Sequence, residues 1–117
     1  MGRTLEETFT TEKGEKGLIV RMQISKIDMF NVPEIRTFFN GQLKSKPNMI
    51  VLDLSKTAFM DSSAMGYLFK LHREMESYGG KLCLTFVQKK LNQLLTLNGA
   101  NKYFAFYDTV EDAFAAD

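Results

Sequence analysis

The stretch NMIVLDLSKTAFMDSSAMGYLFKLHREMESYGGKLCLTFV, residues 48–87, decides the fold of this chain. It opens with NMIVLDLS, a nearly continuous apolar run of the kind that forms a central strand covered on both faces. A helix is predicted from about Ser62 to Tyr78, where Gly79–Gly80 ends it, and KLCLTFV after the glycines predicts a second buried strand. Strands that alternate with a helix in this way indicate an α/β fold with parallel strands.

The residues before this stretch predict a hairpin and a helix. Two strands joined by the Lys13–Gly17 turn, whose glycines permit a tight reversal, are predicted by LEETFTTEKGEKGLIVRMQIS. A helix is then expected to begin near Asn31, because Asn31 and Glu34 have the spacing of a capping box and Pro33 suits a first helical turn.

The residues after the stretch continue the alternation of helices and strands. A short helix is predicted by QKKLNQLLTLNG, a last strand by YFAFYD, and the cap of a last helix by Asp108 or Thr109. We therefore expect a single α/β domain over residues 1–117, with residues 1–5 as a flexible end. Its central sheet should be mostly parallel, with an antiparallel N-terminal hairpin and about four helices.

Composition narrows the classes of protein to which the chain can belong. With 15 basic and 14 acidic residues the net charge is +1, which removes the electrostatic attraction on which most nucleic-acid binders depend. Cys83 is the only cysteine, so no intrachain disulfide can form and a reducing compartment is expected. No apolar run approaches the roughly 18 residues that span a bilayer, and the N-terminus lacks the apolar core of a signal peptide. We expect a cytoplasmic protein that binds a protein or a small ligand, without membrane insertion or nucleic acid.

The serine pair in FMDSSAMGY raises the question of what its two hydroxyls do. One side of the predicted helix carries the core stripe, which consists of Ala64, Leu68, Leu71, Met75 and Tyr78. The opposite side carries Ser62, Gly66, Phe69 and Arg73. Ser62 should therefore face solvent, and Phe69 next to Gly66 offers a flat apolar patch for a protein contact. A purely structural role stays open, with Asp61 or Ser62 as the N-cap and Ser63 as a polar residue of the first turn.

These motifs resemble the STAS family, the anti-sigma factor antagonists of bacteria. In that family an apolar strand leads into Asp-Leu-Ser, found here at 53–55, and then into Asp-Ser-Ser/Thr-Gly-Leu-Gly, whose first three residues match 61–63. The family's second strand, acidic loop and first helix are matched by ISKIDMFNVPEIRTFF, and its C-terminal helix, strand and helix by LLTLNGANKYFAFYDTVEDAF. Ala64 and Met65 replace the usual glycine and leucine, and Ser25 replaces a frequent glycine. These departures bear on contact shape rather than on the fold.

The resemblance implies a phosphorylation switch. In antagonist members the serine after the aspartate, here Ser62, is phosphorylated by a partner that is both anti-sigma factor and serine kinase, and a serine phosphatase reverses the change. ATP and Mg²⁺ belong to that kinase, so the chain itself needs no cofactor and is not an enzyme. The implied partner-binding surface consists of Asp28, Phe59, Met60, Asp61, Ser62, Ser63, Met65, Gly66, Phe69 and Arg73. Met29 and Phe30 are further candidates for this surface.

Three other functions stay open from the sequence. Asp53 at the end of a buried strand suggests a phosphoacceptor receiver domain, although the first strands lack the acidic pair that such a site needs. STAS-type domains also serve as scaffolds of stress-sensing complexes, or as accessory subunits of lipid or anion transporters, without a phosphoserine switch. An enzyme is the weakest alternative, because His72 has no nucleophile at helical spacing and Cys83 lies in a buried strand.

Overall fold

The computed structural model of the chain describes residues 8–116, so the expected flexibility of residues 1–5 lies outside the described part. The strands are β1 (Phe9–Lys13), β2 (Leu18–Met22), β3 (Lys26–Ile27), β4 (Met49–Asp53), β5 (Phe59–Met60), β6 (Lys81–Thr85) and β7 (Ala105–Tyr107). The helices are α1 (Val32–Leu43), α2 (Ser62–Glu76), α3 (Lys89–Leu97) and α4 (Val110–Ala115), with a short 3-10 helix at Ala100–Lys102. Within residues 8–116, these helices are all too short or too polar to cross a membrane.

β4 lies at the centre of a five-stranded sheet with the order β1-β2-β4-β6-β7. β1 and β2 pair antiparallel across the predicted hairpin, and the other neighbouring pairs are parallel. All five residues of β4 are buried, as its apolar run predicts, because helices cover both faces of the sheet. The predicted α/β fold is confirmed, with a mostly parallel sheet, an N-terminal hairpin and, within residues 8–116, four α-helices where about four were expected.

The two faces of the sheet carry cores of different size. The larger core lies under α1, α2 and α3, on the face to which Leu52 of β4 points. On the other face Val110 and Ala113 of α4 pack against Val51 and Cys83. Cys83 is fully buried, so the prediction that it lies in a buried strand is confirmed.

A second, two-stranded sheet positions the loops that precede α1 and α2. β3 and β5 pair in parallel there, with Ile27 opposite Met60. The main-chain carbonyl of Ser25 also accepts hydrogen bonds from the N–H groups of Ala58 and Phe59, at 2.8 and 3.1 Å. Sequence reasoning did not predict this pairing, because strands of two residues leave no periodic pattern.

The predicted capping box of α1 is wrong. Asn31 Oδ1 accepts a hydrogen bond from Asp28 N–H at 2.9 Å instead of capping the helix, and the Glu34 carboxylate accepts one from the Thr8 hydroxyl at 3.1 Å. The N–H groups of Asn31 and Val32 donate to the carbonyl oxygen of Asp28, at 3.1 and 2.9 Å. An asparagine side chain can accept a hydrogen bond either from a helix N-terminus or from a nearby turn, and Asn31 accepts one from the turn.

The other predicted helix ends are confirmed. α2 ends at Glu76, and Gly79 follows with a φ of +86°, a conformation that glycine adopts without a steric penalty. Thr109 caps α4, because its hydroxyl oxygen accepts a hydrogen bond from Asp112 N–H at 3.0 Å. Of the two predicted caps, Thr109 rather than Asp108 therefore fills this role.

Candidate functional site

Asp61 is the centre of the candidate site, because its carboxylate joins α2 to the loop before α1. One oxygen accepts a hydrogen bond from Ala64 N–H at 2.9 Å and so caps α2. The other accepts one from Met29 N–H at 2.9 Å. The bond from Ala64 N–H lowers the pKa of Asp61, and the bond from Met29 N–H acts in the same direction. The carboxylate is therefore ionised at neutral pH and holds both elements together.

The loop before α1 is a closed turn from Asp28 to Asn31. Asp28 Oδ1 accepts a hydrogen bond from Phe30 N–H at 3.0 Å, and Asn31 Nδ2 donates to the carbonyl of Lys26 at 2.9 Å. With so many polar groups bonded within the turn, its apolar side chains point outward. Met29 is 59% exposed and Phe30 is 86% exposed. The aspartate and asparagine three residues apart are the sequence signal that could have indicated this turn.

The two serines lie at the first turn of α2 and are both exposed. Neither hydroxyl makes a hydrogen bond to another residue in the range 8–116, because Asp61 already caps the helix. The prediction that Ser62 faces solvent is confirmed. Of the two caps named in the structural alternative, Asp61 rather than Ser62 is the N-cap. The Ser62 hydroxyl is thus left for a ligand or an enzyme to reach.

Two of the predicted partner-binding residues belong to the core. Met60 is 1% exposed and Met65 is 6% exposed, so neither can contact a partner on the folded domain. Met60 faces inward from β5, whereas its neighbour Phe59 is exposed beside Lys26, whose ammonium lies 5.8 Å from the centre of the Phe59 ring. Met65 is buried because α1 packs beside α2, which widens the buried side of α2 beyond the predicted stripe.

The side of α2 opposite the core divides into exposed and half-buried residues. Gly66 and Arg73 are exposed, as predicted. Phe69 is half-buried, since its ring centre lies 5.5 Å from that of Tyr103 and 5.3 Å from that of Phe104. The expectation of an exposed aromatic patch at Phe69 is therefore wrong, because the segment after α3 folds over it.

Asp53, the basis of the receiver-domain alternative, is the last residue of the central strand β4. Its carboxylate accepts a hydrogen bond from Ser55 N–H at 2.9 Å and lies 3.5 Å from Arg21 Nε. Arg21 also contacts Glu12 across the hairpin at 3.0 Å. Among the residues that the structure describes, no cluster of three or more histidine, cysteine, aspartate or glutamate side chains could hold a metal ion. Asp53 therefore forms an ion pair with Arg21 and a hydrogen bond with Ser55 at the C-terminal end of β4.

Fold and site together define a small α/β domain that begins with a hairpin and exposes a serine beside an aspartate at the start of its second helix. The chain belongs to the STAS domain family, whose sequence model matches residues 8–113. An anti-sigma F factor antagonist of Paenibacillus polymyxa is 31% identical over 64 residues, which cover 55% of each chain. The chain spans between about half and two thirds of the length of the curated relatives that it matches.

Solved structures share the fold at low sequence identity. An anti-sigma factor antagonist from Mycobacterium paratuberculosis has a TM-score of 0.82 at 23% identity, over 93% of this chain and 92% of that one. The anti-sigma factor antagonist SpoIIAA of Bacillus is similar in its unphosphorylated form, with a TM-score of 0.75 at 21% identity over 91% of this chain and 92% of SpoIIAA. Its phosphorylated form gives 0.70 at 21% identity, over 92% and 97%.

Proposed function

We propose that this chain is an anti-sigma factor antagonist, that it binds its anti-sigma factor through the surface around the start of α2, and that phosphorylation of Ser62 ends the binding. The names of the relatives support the class, since the Paenibacillus protein antagonises anti-sigma F factor. The existence of a phosphorylated form of SpoIIAA supports regulation by phosphate within this family. The geometry of the site supports the choice of residues.

The exposed hydroxyl of Ser62 is the observation that carries the proposal. Asp61 caps α2, so Ser62 has no structural task that would account for a hydroxyl at this position. An exposed serine at the end of a short loop is open to the active site of a kinase. The neighbouring Ser63 is exposed as well and provides a matched control.

A phosphate on Ser62 should leave the domain folded. A phosphoserine carries a charge of about −1.5 to −2 at neutral pH. At the N-terminus of α2 the helix dipole favours that charge. The carboxylate of Asp61 opposes it, but solvent weakens the repulsion between exposed groups.

The same phosphate should prevent docking. We define the docking surface as the exposed residues Met29, Phe30, Phe59 and Ser62. The hydrogen bond from Met29 N–H to the Asp61 carboxylate joins the two loops that carry them. Exposed aromatic side chains held on a rigid turn are typical anchors of protein interfaces. A partner that covers Phe30 brings its own surface against Ser62, and burying an uncompensated phosphate costs several kcal/mol. A cost of about 3 kcal/mol weakens binding roughly a hundredfold.

In this proposal the chain is a regulator and the chemistry belongs to its partners. The anti-sigma factor acts as the serine kinase and supplies the site for ATP and Mg²⁺, and a separate serine phosphatase removes the phosphate. All of these proteins act in the cytoplasm, and no nucleic acid or membrane insertion is required.

The proposal is tested by measuring the affinity of the purified anti-sigma factor for Ser62→Ala, Ser62→Asp and Ser63→Ala. We expect Ser62→Ala and Ser63→Ala to bind like the unmodified protein, and Ser62→Asp to bind much more weakly. With ATP and Mg²⁺ present, the anti-sigma factor should phosphorylate the wild type and Ser63→Ala but not Ser62→Ala. Equal binding by Ser62→Ala and Ser62→Asp would contradict the switch. A pull-down that recovers a transporter subunit in place of an anti-sigma factor would contradict the class of partner.

A further inference from the structure

A groove of about 330 Å³ runs between α1 and α2 and opens beside the docking surface. Met29 of the docking surface and Ser63, the neighbour of Ser62, are among its lining residues, so the groove adjoins the surface described above. Tyr67 and Gly66 contribute from α2, and Gly66 leaves space because a Cβ built on it would meet no atom within 4 Å. A side chain from a docked partner can therefore enter without displacing any part of the free domain.

The charged residues of the groove are all positive. Arg36 from α1 and Lys70 from α2 line it, with no aspartate or glutamate among its lining residues. Both side chains are exposed, and neither has a carboxylate within 4.0 Å among residues 8–116. The guanidinium of Arg36 stands over the ring of Tyr67, 5.7 Å from its centre. The carboxylate of Glu74 acts on the buried Tyr67 hydroxyl but does not line the groove, so Arg36 and Lys70 are the charges that a side chain in the groove would meet.

We propose that the groove receives an acidic side chain of the protein that docks on α2, an inference that rests on the proposed function. A carboxylate complements Arg36, whose planar guanidinium can hold it with two parallel hydrogen bonds, and Lys70 adds a second positive charge. The apolar side chains of Val32 and Met29 line the same groove and suit the aliphatic stem of a glutamate or aspartate. The partner is thus expected to present an acidic residue next to the apolar pocket that takes Phe30.

Charge reversal in the groove tests this inference with the purified anti-sigma factor. We expect Arg36→Glu and Lys70→Glu each to weaken binding about tenfold and to reduce its dependence on salt. Lys13→Glu makes the same change of charge at the hairpin, which lies beside the C-terminal end of α1 and outside the groove, and it should bind like the wild type. Binding of Arg36→Glu and Lys70→Glu within twofold of the wild type would overturn the inference.

Filling the groove without changing its charge provides a second test. Gly66→Leu places a side chain over the open space and improves the helix propensity of α2, so the domain should remain folded. We expect the thermal unfolding midpoint to be retained or raised while binding to the anti-sigma factor weakens about tenfold. Unchanged binding by a folded Gly66→Leu protein would also overturn the inference.

An NMR titration without the partner separates this inference from the proposed function. A hexaglutamate peptide should shift the amide signals of Arg36, Gly66 and Lys70, whereas hexaglutamine should not, and the Arg36→Glu/Lys70→Glu double variant should lose the response. If no anti-sigma factor binds the wild type, the proposed function fails and this titration still decides whether the groove takes carboxylates. If Ser62→Asp abolishes partner binding but charge reversal does not, the function stands and the groove inference fails.

Discussion

Replacing Tyr67 by phenylalanine should stabilise the domain. Tyr67 is 6% exposed, and its hydroxyl has no hydrogen-bond partner among the described residues. Burial, reinforced by the negative charge of Glu74, raises the pKa of Tyr67 to about 12. Both observations indicate a hydroxyl in an unfavourable environment, so the chain should gain stability when the oxygen is removed.

The size of the effect follows from the contacts that remain. An unpaired buried hydroxyl costs about 1–3 kcal/mol. Phenylalanine keeps the ring, whose centre lies 6.4 Å from that of Phe39 and 5.7 Å from the guanidinium of Arg36. We therefore expect a gain of about 1 kcal/mol in the free energy of unfolding, or roughly 4 °C in the unfolding midpoint. Tyr78→Phe is the matched control and should lose about 1 kcal/mol, because the Tyr78 hydroxyl donates to the carbonyl of Pro47 at 2.9 Å.

Urea unfolding followed by far-ultraviolet circular dichroism measures the change in both variants. A loss for Tyr67→Phe as large as that for Tyr78→Phe would mean that the buried hydroxyl has a partner, and the reasoning would be refuted. Alkaline titration gives a second reading. Because the raised pKa favours the protonated side chain in the folded state, stability should fall as the pH rises from about 10 to about 12. That fall should be smaller in Tyr67→Phe.

Three further predictions test other parts of the account. Asp61→Asn keeps an oxygen that can cap α2 but loses the carboxylate oxygen that accepts the hydrogen bond from Met29 N–H, so hydrogen exchange of the Met29 amide should accelerate while the fold is retained. An unchanged exchange rate would show that the carboxylate does not hold the turn. Phe30→Ala should change stability by less than about 0.5 kcal/mol yet weaken binding of the anti-sigma factor at least tenfold, whereas Leu97→Ala, at a residue of similar exposure, should change neither. Gly17→Ala would bring a Cβ into collision with a carbonyl of β4, and urea unfolding should show a loss of about 2 kcal/mol; a stability equal to the wild type would mean that the hairpin moves to accept the methyl group.

Much of the fold follows from patterns that act over one element at a time. The run in β4 is apolar throughout because both of its faces are covered, and a pattern of that length can be recognised without tertiary information. The start of α2 at Ser62 and its end near Gly79 follow from local chemistry, since a carboxylate caps the first turn and a glycine adopts the left-handed conformation after the last.

The parts that sequence patterns missed depend on contacts between distant residues. Met65 lies next to the predicted core stripe, and only the packing of α1 against α2 makes it a core residue. Asn31 has the right spacing for a capping box, but the turn around Asp28 competes for the same side chain and wins. The groove at Arg36 and Lys70 could not be predicted from either helix alone, because each of them contributes one of the two charges.

The most direct test of the account compares the protein phosphorylated on Ser62 with the unmodified protein, in both partner affinity and thermal unfolding. We predict that the phosphoprotein binds the anti-sigma factor at least a hundredfold more weakly and unfolds at the same temperature or higher. Undiminished binding by the phosphoprotein, or loss of binding that comes from an unfolded domain, would contradict a phosphate that acts only by blocking the docking surface.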